Sequence, residues 1–224
     1  MGGIGILGGT FDPVHNGHVR HALEVADALG LEKVFLMPCS VPPHKARFIL
    51  PFSVRAAMLR AAAGGVAGLE VTEIESGLPV PSYTWHTLQA WKELPYGGEL
   101  PYFMMGMESF CKLETWFRWS ELPSLARLVI VSREGGERDA FLRKAGELWP
   151  DAASGTSAHG VGQIHLREGG EVLFVPVPRL DISSTDVRRR FLVRKPLAGL
   201  VHPEVEHLLE RHRAEAEECW GGAG

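Results

Sequence analysis

Gly8-Gly9-Thr10-Phe11-Asp12-Pro13-Val14-His15-Asn16-Gly17-His18 follows directly on a short apolar run at 4–7. The run reads as a buried strand. Beyond the loop, Val19, Ala22, Leu23, Ala26 and Leu29 recur at helical spacing over 16–29, and Gly30 follows as a stop. A strand, a double-glycine turn and a helix therefore come in direct succession.

The alternation continues along the chain. Further strands are expected at 33–37, ended by Pro38, at 69–74, at 102–105, closed by Gly106, at 128–131 and at 172–175. Helices are expected at 53–63, at 84–93 with Ser82 or Thr84 as cap, at 138–148, at 184–192 and at 204–217, the last amphipathic through Val205, Leu208 and Leu209. Residues 151–170 are rich in Gly, Ser, Ala and His, and read as an irregular excursion. No internal repeat is visible. The pattern predicts an α/β fold: a Rossmann-like, doubly wound, mostly parallel sheet with helices on both faces. A length of 224 residues fits one domain, 1–224, with a C-terminal helical portion from about 183. Ligands in such sheets sit beyond the carboxyl ends of the strands. The candidate loops are then 8–18, 38–45, 106–119 and the one before Ser183.

Composition narrows the function. The hydrophobic fraction is 45%, enough for a sizeable core. A formal net charge of -4 argues against a nucleic-acid or anionic-membrane partner but leaves room for small anions held by local groups. Cys39, Cys111 and Cys219 are far apart and odd in number, which fits a reducing, cytoplasmic setting better than a disulfide framework or a thiolate zinc site. The N-terminus has no basic region ahead of its apolar residues, and no apolar run is long enough to span a bilayer. A homo-oligomer is left open.

The first loop carries the chemistry. Gly8 and Gly9 let the backbone approach a ligand, and the helix start adds N–H groups and a positive dipole end, so the place suits a phosphate. His15 and His18, three residues apart, share one face of the first helical turn. Two imidazoles aimed at one spot can donate to phosphate oxygens and to charge that develops in phosphoryl transfer. Three duller readings compete. Gly3-x-Gly5-x-x-Gly8 matches the dinucleotide fingerprint formally, but overlaps the strand instead of following it. His15, His18 and His21 with Asp12 are a candidate metal set, without a further carboxylate or thiol to complete it. A histidine near a helix start, taken singly, is most often a surface or capping residue.

Gly9-Thr10-Phe11-Asp12-Pro13 followed by His15-Asn16-Gly17-His18 resembles the nucleotidyltransferase signature F-D-x-x-H-x-G-H. In the form G-G-T-F-D-P-x-H-x-G-H it is similar to the bacterial nicotinate-nucleotide adenylyltransferases. The resemblance implies that His15 and His18 are catalytic, binding ATP phosphates and stabilising the transition state without a covalent enzyme intermediate, and that Gly8, Gly9, Thr10 and Phe11 belong to the ATP site. Four later segments agree in order. Pro42-Pro43-His44-Lys45 matches a P-P-H-K element, with His44 and Lys45 as a clamp for the acceptor phosphate. Ser82-Tyr83-Thr84-Trp85-His86-Thr87-Leu88 resembles S-Y-T-x-x-T-L, which implies acceptor contacts for Tyr83 and Thr84. Gly106-Met107-Glu108-Ser109 resembles G-x-D-S, with Glu108 where the family has Asp; Gly106 and Glu108 are then expected at the ATP ribose. Downstream, Trp116 and Phe117 offer flat faces for a pyridine ring, and such stacking contributes roughly 1 kcal/mol beyond burial. Ile182-Ser183-Ser184-Thr185-Asp186-Val187-Arg188 matches I-S-S-T-x-I-R and puts Ser183, Ser184, Thr185 and Arg188 on the ATP tail. Read alone, this last segment is a capping motif with a solvated arginine.

The resemblance implies adenylyl transfer from ATP to nicotinate mononucleotide, giving nicotinate adenine dinucleotide and pyrophosphate. Mg²⁺ is expected with ATP, held by substrate oxygens and water, with no protein ligand. The rivals are the same chemistry on nicotinamide mononucleotide or another phosphorylated acceptor, a non-catalytic nucleotide-binding module, and a dehydrogenase. The last lacks an acidic residue at the end of its second strand, where Pro38 and Cys39 stand.

Overall fold

The computed structural model describes residues 2–42, 49–132, 137–156, 161–167 and 169–221. Eight strands form one sheet in the order β3-β2-β1-β4-β5-β8-β7-β6. They are β1 (Gly3–Gly9), β2 (Leu31–Pro38), β3 (Leu69–Val71), β4 (Tyr102–Gly106), β5 (Arg127–Ser132), β6 (Ala153–Thr156), β7 (Gly162–His165) and β8 (Glu171–Pro176). The run from β3 to β8 is parallel throughout; β7 pairs antiparallel with β8, and β6 antiparallel with β7.

Alternation along each central strand explains why helices cover both faces. Val34, Leu36, Met104, Val129, Val131, Leu173 and Val175 point into one core. Their neighbours Phe35, Met37, Phe103, Met105, Leu128, Ile130, Val172 and Phe174 point into another. Strands apolar at every position must be buried twice. The first core is closed by α1 (Asn16–Leu29), α2 (Phe52–Ala63), α6 (Ser184–Leu192), α7 (Pro203–Arg211) and α8 (Arg213–Gly221). The second is closed by α3 (Thr84–Trp91), the short α4 (Met107–Phe110) and α5 (Arg138–Leu148). The doubly wound, mostly parallel sheet expected from the sequence is the one observed. No helix among the described residues is long and apolar enough to cross a membrane.

The strand order places the site. The chain steps from β1 outward through β2 to β3, then returns to β4 on the other side of β1. Connections therefore leave β1 and β4 in opposite directions and open a crevice beyond their carboxyl ends, where ligands of such sheets bind. α1 leaves β1 in register with the sequence expectation and stops at Gly30, whose φ of +61° lets its N–H reach back to Ala26 and Asp27 carbonyls.

Four local expectations need correction. Within 151–170 lies a β-hairpin, β6 and β7, that extends the sheet beyond β8. Its strand signal is faint because Gly162 faces inward beside Ile164; a Cβ there would meet that of Phe174 at 3.2 Å. β3 ends at Val71, and a 3₁₀ turn occupies Ile74–Gly77. The last helix is two, α7 and α8, broken at His212. Neither Ser82 nor Thr84 caps α3: Tyr83 holds that position, and the Ser82 hydroxyl accepts from Val41 N–H instead.

Candidate active site

The loop after β1 is shaped around two histidine rings. Phe11 adopts φ +48°, a left-handed conformation that a bulky residue rarely takes, and is buried. Such strain clusters where function requires a particular geometry. Its ring lies under Gly9 and meets the edge of His18 at 4.9 Å. His15, in extended backbone, is the N-cap of α1, and its ring stacks on His18 at 3.7 Å and 25°. Gly17 makes the stack possible: a Cβ at that position would lie 2.9 Å from His15 Nδ1. The spacing H-x-G-H is thus a packing solution, with the glycine vacating the space the first ring occupies. His15 N–H donates to His18 Nδ1 at 3.2 Å. In a neutral ring that leaves the His18 proton on Nε2, the orientation a phosphate donor needs.

Two buried charged residues hold this loop from below. Asp12 Oδ1 accepts from Leu50 N–H at 3.1 Å and Oδ2 from the Trp220 indole N–H at 3.0 Å. Burial pushes its carboxyl above the usual range, although both donors and the charges of Arg188 and Arg55 pull the other way. Arg55 is fully buried and donates to four carbonyls: Leu50 at 2.9 Å, Thr10 and Cys39 at 2.8 Å each, and Ser40 at 3.1 Å. Burial lowers its guanidinium pKa, opposed by Asp12. Neither role was foreseen for Arg55 or Trp220. The available signal at Arg55 was a charge on an apolar helical stripe with Met58, Leu59 and Ala62.

Helix α6 lands on the same loop. Ser183 caps it by accepting from Asp186 N–H at 3.1 Å. Ser184 Oγ donates to Pro13 O at 2.9 Å, and Arg188 donates to Asp12 O at 2.6 Å and to Thr185 Oγ1 at 3.0 Å. Residues 8–18 and 183–188 are therefore brought together, and Ser184 and Arg188 dock α6 on the loop.

Across the crevice, Gly106 is the exposed N-cap of α4. Glu108 is exposed and pairs with Lys112 at 2.9 Å, one turn along the chain. The aromatic pair divides. Trp116 is half-buried against the second core. Phe117 stands exposed and stacks with Tyr83 at 5.0 Å and with His86 at 5.6 Å, while Trp85 meets it edge-on at 6.1 Å. Trp85 is itself fixed by Glu121, which accepts from its N–H at 3.0 Å, and by Arg118 over its face at 4.2 Å. Thr84 opens α3 beside them. His86 was missed, since it occupies an unspecified position of S-Y-T-x-x-T-L. His44 and Lys45 lie outside the described residues. The β2 loop just before them is tied to this side: Val41 O accepts from Ser82 N–H at 2.9 Å, and the buried Glu75 accepts from Ser40 N–H at 3.0 Å and from Thr87 Oγ1 at 2.9 Å.

A glycine-rich loop with paired histidines at the switch point of a parallel sheet is the arrangement of a nucleotidyltransferase, and a family model described as cytidylyltransferase-like matches residues 6–190. The protein of Shewanella baltica strain OS223 described as a probable nicotinate-nucleotide adenylyltransferase is 36% identical over 94% of this chain and 97% of its own. A namesake from Desulfatibacillum aliphaticivorans is 36% identical over 93% and 97%. The chain belongs to the nicotinate-nucleotide adenylyltransferase family. Among solved structures, Plasmodium falciparum nicotinic acid mononucleotide adenylyltransferase complexed with NaAD shares the fold, with a TM-score of 0.69 at 17% identity over 95% of this chain and 97% of that one.

Gly17→Ala should therefore displace the His15 ring and lower turnover by about a hundredfold, the loss expected of an ångström-scale misplacement; wild-type turnover in the variant would contradict the packing role. The thiols give a second check. Burial, with Glu75 nearby, pushes Cys39 up to about 12, whereas Cys111 is exposed. At pH 8 only roughly one Cys39 in ten thousand is thiolate, so iodoacetamide should label Cys111 first, as mass spectrometry of the native protein would report.

Proposed function

We propose that this chain transfers the AMP of ATP to nicotinate mononucleotide, giving nicotinate adenine dinucleotide and pyrophosphate. The observation that carries the reading is the stacked His15–His18 pair at the start of α1, on the loop that opens the β1/β4 crevice. Membership of the adenylyltransferase family supports the choice of reaction.

The triphosphate lies along Gly8, Gly9, Thr10 and Phe11 toward α6, with Ser183, Ser184, Thr185 and Arg188 at its tail and Gly106 and Glu108 toward the ribose. The acceptor sits on the surface of Trp116, Phe117, Tyr83 and His86 with Thr84, and His44 and Lys45 clamp its phosphate. An acceptor phosphate oxygen attacks the α-phosphorus in line, the bond to the bridging oxygen of pyrophosphate breaks, and the electron pair leaves with pyrophosphate. The nucleophile is already ionised near neutral pH, so the reaction needs no strong general base. His15 and His18 donate to phosphate oxygens as negative charge builds on them.

Mg²⁺ fits this arrangement as a companion of ATP. The loop offers imidazole and amide donors, and Asp12, its carboxylate, is already committed to Leu50 and Trp220. A hard cation that prefers oxygen is then held by substrate phosphates and water, where it supplies charge neutralisation to the leaving group. A cytoplasmic, reducing setting fits the free thiols Cys39, Cys111 and Cys219.

Pyrophosphate release with ATP and each of the two mononucleotides tests the proposal. Release with nicotinate mononucleotide is expected; a strong preference for nicotinamide mononucleotide would move the assignment to that acceptor, and release with neither would leave a binding module. His18→Ala should lower turnover about a hundredfold or more, and near-normal turnover in a folded variant would sink its role. Phe117→Ala and Trp116→Ala should each raise the acceptor KM more than the ATP KM; the reverse order would assign the aromatic surface to ATP.

A further inference from the structure

Helix α8 reaches the phosphate loop through one hydrogen bond that closes across most of the chain. Trp220 is buried, and its indole N–H ends on Asp12 Oδ2 at 3.0 Å. Its neighbour Cys219 points its thiol at Ile49 O at 3.4 Å, one residue from the Leu50 N–H that holds the other oxygen of Asp12. The Trp220 ring also packs edge-on against Phe191 of α6 at 5.9 Å. From α6, Arg188 reaches the Asp12 carbonyl at 2.6 Å and its carboxylate at 3.9 Å. Asp12 lies between Phe11, whose ring meets His18, and His15, which stacks on His18. The Asp12 side chain thus anchors the short stretch of backbone that carries both Phe11 and His15. The resemblance that identified the other site residues does not extend to Trp220.

We infer that Trp220 is a positioning residue of adenylyl transfer: its indole N–H holds the Asp12 carboxylate in place, and Asp12 in turn sets the loop that carries His15 and His18. The inference rests on the adenylyl-transfer reading above. The carboxylate is the form that accepts both N–H donors, so the loop is held by ionised Asp12. Facing it are Arg55 of α2, Arg188 of α6 and Cys219 of α8. Burial already pushes the carboxyl upward and the indole N–H opposes that shift. Removing the donor raises the pKa further, and the working, ionised form is then lost at a higher pH as pH falls.

Trp220→Phe keeps an aromatic ring against Phe191 and deletes only the donor. Its expected signature is a kcat lowered about tenfold together with an acid limb of the pH–kcat profile moved up by about one unit. Phe191→Leu is the packing control. It loosens α8 but leaves the indole N–H in place, so it should lower the melting temperature and leave the acid limb where it is in the unsubstituted enzyme. An unmoved acid limb and unchanged kcat in Trp220→Phe would overturn the inference, as would an equal movement of the limb in both variants. Failure of the adenylyl-transfer reading looks different: the unsubstituted chain itself would release no pyrophosphate, and the inference would fall with it.

Discussion

Asp12 and Arg55 are the constraint on which the rest of the site depends. Each is a charge taken out of water, and each is tolerated only because its hydrogen-bonding capacity is filled by named partners. Arg55 gathers the carbonyls of Thr10, Leu50, Cys39 and Ser40, so one guanidinium ties the loop after β1 to the loop after β2 and to the entry of α2. Asp12 gathers the N–H groups of Leu50 and Trp220 and lies beside Arg188. Removing either side chain would strand buried polar groups of the other loops, which is costlier than never having paired them. The two residues thus make the carboxyl ends of the strands a single rigid platform.

On that platform the histidines are set by shape as much as by charge. Phe11 in its left-handed conformation fills the space beneath Gly9 and braces His18, and the absence of a side chain at Gly17 admits the His15 ring. A flexible pair of imidazoles would lose much of its value as a charge-stabilising device, because donors must be aimed before charge develops. The second half of the crevice follows the same logic with aromatic rings. Phe117 packs against both Tyr83 and His86, and Trp85 beside it is pinned by Glu121 and Arg118. A ligand ring docked there would meet a prearranged surface and would not have to order one.

The sheet was legible in the sequence because strands buried on both faces are continuous apolar runs, and helices between them show their own period; β2, β4, β5 and β8 all announced themselves this way. The hairpin of β6 and β7 was not legible, since its inward face is built from Gly162 and Ile164 and its other residues are polar or small. The break between α7 and α8 was hidden for a related reason: helix-favouring Glu, Arg and Ala run through 203–217, and nothing local marks His212 as an end. In the site, the juxtaposed motif segments 8–18 and 183–188 were legible because their chemistry shows in residue type and spacing. Arg55, Trp220 and His86 were not, because each acquires its role from a partner distant in the chain.

By itself, then, the sequence determined that a double-glycine turn follows the first strand, that two histidines share its helix start, and that the motifs of a nucleotidyltransferase run in order along the chain. These are local properties, carried by residue identity and short spacing. The tertiary structure alone decided that the histidines stack, that Phe117 is exposed where Trp116 is half-buried, that Ser184 and Arg188 bond the backbone of the first loop, and that α8 reaches back to Asp12. The reason is that a buried polar group must find a partner wherever in the chain one is brought near, and nearness across the sheet is set by strand order and packing, which no short stretch of sequence encodes.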